Sequence, residues 1–159
     1  HFKSKAALYA EAAAYKKESE EKMLSSLLSD KHTALQKLKN LIGYVYYKGF
    51  QNTETDLRQL SGCPFFTAGA LNSQQDDLIR QASTEYVENE IGYWDSVITE
   101  LVKSGHMAEP QDIGSLARMV YEYVNGVLTF SRISNDEIAM KHDLEKGVYR
   151  LFNISEQVA

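Results

Sequence analysis

Helix breakers are scarce in this chain, and they fall at intervals that cut it into helices. Its 159 residues include two prolines, Pro64 and Pro110, and nine glycines that stand mostly near breaks. Between them run long stretches rich in Ala, Leu, Glu, Lys and Gln, which favour helix over sheet. Ser4 is placed to cap a helix reaching Leu28, on which Leu8, Ala12, Tyr15, Ser19 and Met23 recur at helical spacing. Lys16, Lys17, Glu20 and Glu21 line another of its faces. Ser29-Asp30 breaks that helix, and Asp30 is placed to cap a second one over 31–48. The second helix carries an apolar stripe of Leu35, Leu38, Leu41, Ile42 and Val45, with Gly49 as its stop.

The segment 51–62 is polar, with a short helical patch expected near Asp56–Leu60. Pro64 suits the first position of a short helix ending near Asn72. The longest helix is expected over 75–103. Leu78, Ala82, Tyr86, Tyr93, Val97 and Leu101 mark its face, and Trp94, Ile98 and Val102 widen it. Asp76-Asp77 at its head favours the helix dipole and reads as a cap. Gly105 ends this helix, Asp112 caps the next, which runs to Ile133, and Asn135-Asp136 starts the last. Strand alternation and internal repeats are not apparent. The fold class expected is all-α, an antiparallel helical bundle.

Length and composition bound the function. At 18.0 kDa the chain has a one-domain length and can bury a sizeable core. A net charge of -5 and a pI near 5.4 argue against nucleic-acid binding through bulk electrostatics. The single cysteine, Cys63, excludes an internal disulfide framework and fits a reducing compartment. No apolar run approaches the roughly 20 residues of a spanning helix, so a soluble cytoplasmic protein without a membrane partner is expected. His1, His32, His106 and His142 are scattered and no second cysteine exists, so no metal site is expected. Phosphate-binding loops, a nucleophile elbow and zinc-protease signatures are absent from the sequence. Neither a catalytic site nor a cofactor is expected.

The last two long helices are apolar on more than one side. Leu116, Val120, Val124, Val127 and Leu128 form one face of the first, and Met119, Tyr123 and Phe130 another. A helix apolar on two sides must be covered on two sides. Gly126 within it costs about 1 kcal/mol against Ala, which close approach of another helix would repay. The last helix repeats the pattern with Leu144, Gly147, Val148 and Leu151. Two such helices from each of two subunits would make a four-helix bundle, with Val120, Val124, Val127, Leu128, Leu144, Val148 and Leu151 as the homodimer interface. The alternative is that both are central core helices of one chain.

Tyr44, Tyr47, Phe66, Tyr86, Tyr93, Trp94, Met119 and Tyr123 lie where the second, third, long and following helices can converge on a ligand pocket. Pockets are mostly apolar with a few polar groups, and tyrosines supply both. Glu90 shares the Tyr86–Tyr93 face and is suited to pair with a cationic or hydrogen-bonding ligand. The bland alternative is an aromatic core with Glu90 at a solvated edge. Cys63 ahead of Pro64 is either a thiolate at a helix N-terminus or a small buried hydrophobe filling a turn.

Three places resemble the TetR/AcrR family of bacterial transcriptional regulators. His1-Phe2-Lys3-Ser4-Lys5-Ala6-Ala7-Leu8 is similar to the segment that closes the family's helix-turn-helix domain and enters its linker helix. Ala6 departs from the acidic residue often found there. Gly62-Cys63-Pro64 and the short apolar helix after it are similar to the family's mid-domain turn. The third place is the tail, with Trp94 on a long helix, Gly105, a capped helix holding Gly126 and a final helix. The resemblance implies that 1–3 end a helix-turn-helix domain and that 4–159 form an all-helical effector-binding and dimerisation domain. It also implies a ligand-responsive regulator, read as a repressor, in which a small molecule shifts the first helix. That shift changes the roughly 34 Å spacing of two recognition helices on operator DNA. DNA binding is assigned to no residue of this chain. The runner-up is a helical protein-interaction module without small-molecule sensing.

Overall fold

The computed structural model describes residues 2–52, 58–72, 74 and 76–154. They form helices α1 (Lys5–Leu27), α2 (Ala34–Lys48), α3 (Pro64–Asn72), α4 (Asp77–Lys103), α5 (Ile113–Ser134) and α6 (Glu137–Leu151), with strands β1 (Phe50–Asn52) and β2 (Arg58–Leu60) between α2 and α3. Helix α4 is the central element and packs against α1, α2, α3 and α5, while α6 lies against α5 and α2. The core between them is lined by Leu38, Ile98, Leu101, Ala117, Val120 and Val148, each nearly solvent-free. Among the described residues no helix is long and apolar enough to cross a membrane.

Side-chain caps set most helix starts. The Ser4 hydroxyl accepts from the Ala7 amide, and Asp76, Asp112 and Asp136 cap α4, α5 and α6 in the same way. The second helix begins later than Asp30 predicts. Thr33 is its cap, in a reciprocal box with Gln36: Thr33 Oγ1 accepts from the Gln36 amide while Gln36 Oε1 accepts from the Thr33 amide. Gly105, at φ +74°, turns the chain after α4, and Asn135 takes the left-handed conformation between α5 and α6.

Two expectations are corrected. In place of a helical patch near Asp56–Leu60, residues Arg58–Leu60 form β2, paired antiparallel with β1 through Phe50 opposite Leu60. Asp56 and Leu57 lie outside the described residues. The return is tied to the end of α2, since the amides of Ser61 and Gly62 both donate to the Gly49 carbonyl. The second correction is the face of α1. Leu8, Tyr15 and Met23 are exposed, and the buried positions are Ala6, Ala13, Glu20 and Leu24. The inward row is small at Ala6 and Ala13 and larger at Glu20 and Leu24, and it leaves Leu8, Tyr15 and Met23 on the outside.

Helix α3 also sits close to α4. A Cβ on Gly69 would come 2.6 Å from Ser83 Oγ and 2.8 Å from Ser83 Cβ. Ser83 is held in place: its hydroxyl donates to the Ile79 carbonyl and bonds Tyr9, whose hydroxyl reaches the Phe65 carbonyl. Gly69→Ala should therefore cost about 1–3 kcal/mol through overpacking. Denaturant melts should show a lower midpoint at unchanged slope; an unmoved midpoint would mean that α3 is free to slide.

Candidate functional site

The interior holds a charged centre built from three helices. Lys48, in the last turn of α2, reaches Glu90 of α4 at 2.5 Å and Glu20 of α1 at 3.5 Å. The side chains are 8%, 9% and 0% exposed, so all three charges are out of water. The Tyr86 hydroxyl donates to Glu20 Oε2 at 2.8 Å. Lys16, at the solvent edge, lies 3.2 Å from Glu20 Oε1. The Lys48 ammonium also stands 4.8 Å from the Tyr86 ring centroid and 5.5 Å from that of Tyr44, within cation–π range.

This centre is not fully satisfied. Glu20 Oε1, Glu90 Oε1 and the hydroxyls of Tyr44 and Tyr121 are buried without a well-formed hydrogen bond, although the Tyr44 hydroxyl lies close enough to Glu20 to favour its charged form. Buried polar atoms without partners cost about 1–3 kcal/mol each, so such a cluster is expected only where something else repays it. Two aromatics of α3 close the centre from one side: Phe65 packs on Tyr86 with centroids 5.0 Å apart, and Phe66 meets Tyr121 edge-on at 6.1 Å. Cys63 is buried just ahead of α3, its sulfur 3.5 Å from the Phe66 amide.

Two carboxylates share one ammonium, and their titration diverges. Burial raises the Glu90 pKa above its ordinary value; Lys48 opposes that rise without cancelling it, and the Glu20 charge adds to it. Burial acts on Glu20 in the same sense, but Lys48, tyrosine hydroxyls and Lys16 outweigh it and leave the Glu20 pKa lowered. Burial pulls the Lys48 pKa down, yet Glu90 and the other nearby charges hold it above its usual value, so the ammonium stays charged. Burial, then the carboxylate charges, push the Tyr44 and Tyr86 hydroxyls far up, so both stay protonated.

The residues expected to line a pocket separate into groups. Tyr44, Tyr86 and Glu90 meet at the charged centre, and Phe66 packs beside it on Tyr121. Trp94 is buried in the apolar core. Tyr93 is half-buried beside Asn89, along an open cleft of about 390 Å³ that includes Lys37 and Glu100. The Tyr123 hydroxyl donates to the Asp143 carbonyl at 2.7 Å, on the α5–α6 side. Tyr47 and Met119 are exposed and lie apart from the centre. Glu20, Lys48 and Tyr121 were missed by the sequence reading. Lys48 follows Tyr44 by one helical turn, and Glu20 continues the Ala6–Ala13 spacing, which is the signal that could have found them.

The residues expected at a dimer interface mostly face inward. Val120, Val124, Leu128, Leu144 and Val148 are buried in the chain's own core, while Val127 and Leu151 are half-buried. The outward apolar residues of α5 are instead Met119, Phe130 and Ile133, with Gly126 between them, while Tyr123 is half-buried against α6. Met119, Phe130 and Ile133 are 53%, 65% and 77% exposed, and a Cβ on Gly126 would meet nothing within 4 Å. Among the described residues no three His, Cys, Asp or Glu side chains come together to hold a metal ion.

No family model and no curated protein matches the sequence. A solved structure does match the fold: the reduced form of E. coli NemR, a TetR-family regulator, superposes with a TM-score of 0.73 at 16% identity, covering 97% of this chain and 77% of NemR. The chain has a TetR-like, all-helical fold, and at that identity the likeness is one of fold.

The charged centre makes two predictions about stability. Lys48→Met leaves buried Glu90 without a counter-charge and Glu20 with Lys16 alone, and should cost about 3–5 kcal/mol at neutral pH, seen as a large fall in melting temperature; an unchanged melt would mean the pair is not buried in solution. Glu90→Gln tests the titration. A raised carboxylate pKa means that ionised Glu90 costs stability above that raised value, and that the cost fades as pH falls to the ordinary value of 4.5. Whatever the variant loses at the Lys48 contact, its stability relative to the parent should rise as pH climbs from 4.5 through the raised value. A constant difference across the range would refute the shift.

Proposed function

We propose that this chain is the effector-binding and dimerisation part of a TetR-type, ligand-responsive transcriptional regulator, acting as a repressor. On this reading 4–159 sense a small molecule. DNA contact belongs to a helix-turn-helix domain on the N-terminal side of α1, closed by 1–3. The observation that carries the proposal is the NemR-like fold over 97% of the chain, together with an unsatisfied polar centre that one of its three charges ties to α1. A ligand that rearranges the Glu20–Lys48–Glu90 group shifts α1 and whatever α1 carries, and coupling of this kind is typically about 1–3 kcal/mol.

The α5 stripe supports the dimer. Single exposed apolar residues are ordinary on a surface, but a row of them along one helix marks an interaction face. Gly126 at its middle leaves that row flat, so a second copy of α5 can approach along it. Exposed Ile138 at the start of α6 extends the same apolar character.

Ligand screening by thermal shift tests the sensing role. A molecule at about a hundred times its dissociation constant should stabilise the chain by about 2.7 kcal/mol. A broad library without a single stabilising member sinks the sensor. For assembly, light scattering should give a dimer for the parent and a folded monomer for Phe130→Glu/Ile133→Glu. A monomeric parent, or a dimer untouched by both changes, overturns the α5 interface.

A further inference from the structure

We propose that the effector is a cation, an ammonium-type molecule whose positive group is held at Glu90 Oε1 beside the Tyr44 hydroxyl. This rests on the sensor reading above and specifies what is sensed.

The argument is one of charge and unmet acceptors. Inside the protein two carboxylates face one ammonium, and Lys48 already spends its closest contact on Glu90 Oε2. Glu20 is served from three sides, by Tyr86, Lys48 and Lys16. Both Oε1 atoms are buried and accept no hydrogen bond, but Glu20 Oε1 has Lys16 and Lys48 within ion-pair distance, whereas Glu90 has Lys48 alone, at its other oxygen. A carboxylate oxygen is an acceptor only. What completes it must be a donor, and beside two buried carboxylates that share one buried ammonium, with Lys16 only at the solvent edge, a cationic donor gains most. Tyr44 and Tyr121, each about nineteen-twentieths buried, add hydroxyl oxygens and aromatic faces. An anionic ligand would instead add a third negative charge to the two carboxylates.

A neighbouring cleft carries the same sign. Between α1 and α4 lies an open cleft of about 240 Å³, walled by alanines of α1 and by Ala82. Glu18, Glu21 and Glu85 line it against a single lysine, Lys17, and Tyr86, which holds Glu20, forms part of its wall. The small side chains leave room there, and the acidic lining favours a cation.

Benzylammonium, benzyl alcohol and benzoate, matched in shape and different in charge, test the proposal by isothermal titration and thermal shift on this chain. Only benzylammonium should bind and stabilise, and Glu90→Gln should weaken it about tenfold or more, equivalent to about 1.4 kcal/mol. Tyr44→Phe, which keeps ring and packing, should weaken it by a smaller factor and guards against misfolding of the first variant. Equal binding by benzoate or the alcohol, or benzylammonium binding untouched in Glu90→Gln, overturns the cation class and leaves the sensor standing. If none of the three binds at millimolar concentration, the cation proposal fails. Hits from a neutral and anionic library would then keep the sensor reading, and their absence would end both.

Discussion

One buried ammonium, that of Lys48, ties three packed helices together at a single point. It stands at the C-terminal end of α2 and neutralises one carboxylate from α1 and one from α4. A charge out of water must be paired, and removing a partner costs more than the pair itself contributes. The register of α1 against α4 is therefore fixed at Glu20, midway along a helix whose other buried residues are mostly alanines.

Helix ends were legible in the sequence because they depend on chemistry within a few residues. Ser4, Asp76, Asp112 and Asp136 each satisfy an amide one turn away, and Gly105 adopts a backbone angle few other residues tolerate. Helix faces were less legible because they depend on what lies opposite. On α1 the row from Leu8 to Met23 looked like the inner stripe, yet the row that faces the bundle is Ala6, Ala13, Glu20 and Leu24. On α5 both rows are apolar, and which one turns inward is decided by the positions of α4 and α6. The hairpin return at Arg58–Leu60 is set by pairing with a strand several residues away, which local helix propensity cannot anticipate.

The candidate site was half legible for a related reason. Aromatic residues advertise burial, so Tyr44, Tyr86 and Glu90 could be grouped by face and by neighbours. Glu20 and Lys48 carry charges that ordinarily mark a solvated surface, and each is buried only because the other is present. Pairing of this kind is a property of two segments brought together and has no signature in either alone. The spacing of Glu20 after Ala6 and Ala13 becomes informative once α4 is known to lie against that row.

An electrostatic seat for α1 has a consequence that an apolar one would lack. Apolar contacts weaken gradually as surfaces slide, in proportion to area. A buried ion triad responds in steps, because one added or neutralised charge changes which carboxylate the ammonium prefers. A ligand can shift such an equilibrium only by its difference in affinity for the two arrangements, and a charge delivered to Glu90 bears directly on that difference. Drawing Glu90 toward a new partner frees Lys48 for Glu20 and tightens α2 on α1; binding that recruits Lys48 instead loosens it. In the proposed regulator, the direction of the α1 response is thus set by whether the effector competes with Lys48 or with the carboxylates, and a cation competes with Lys48.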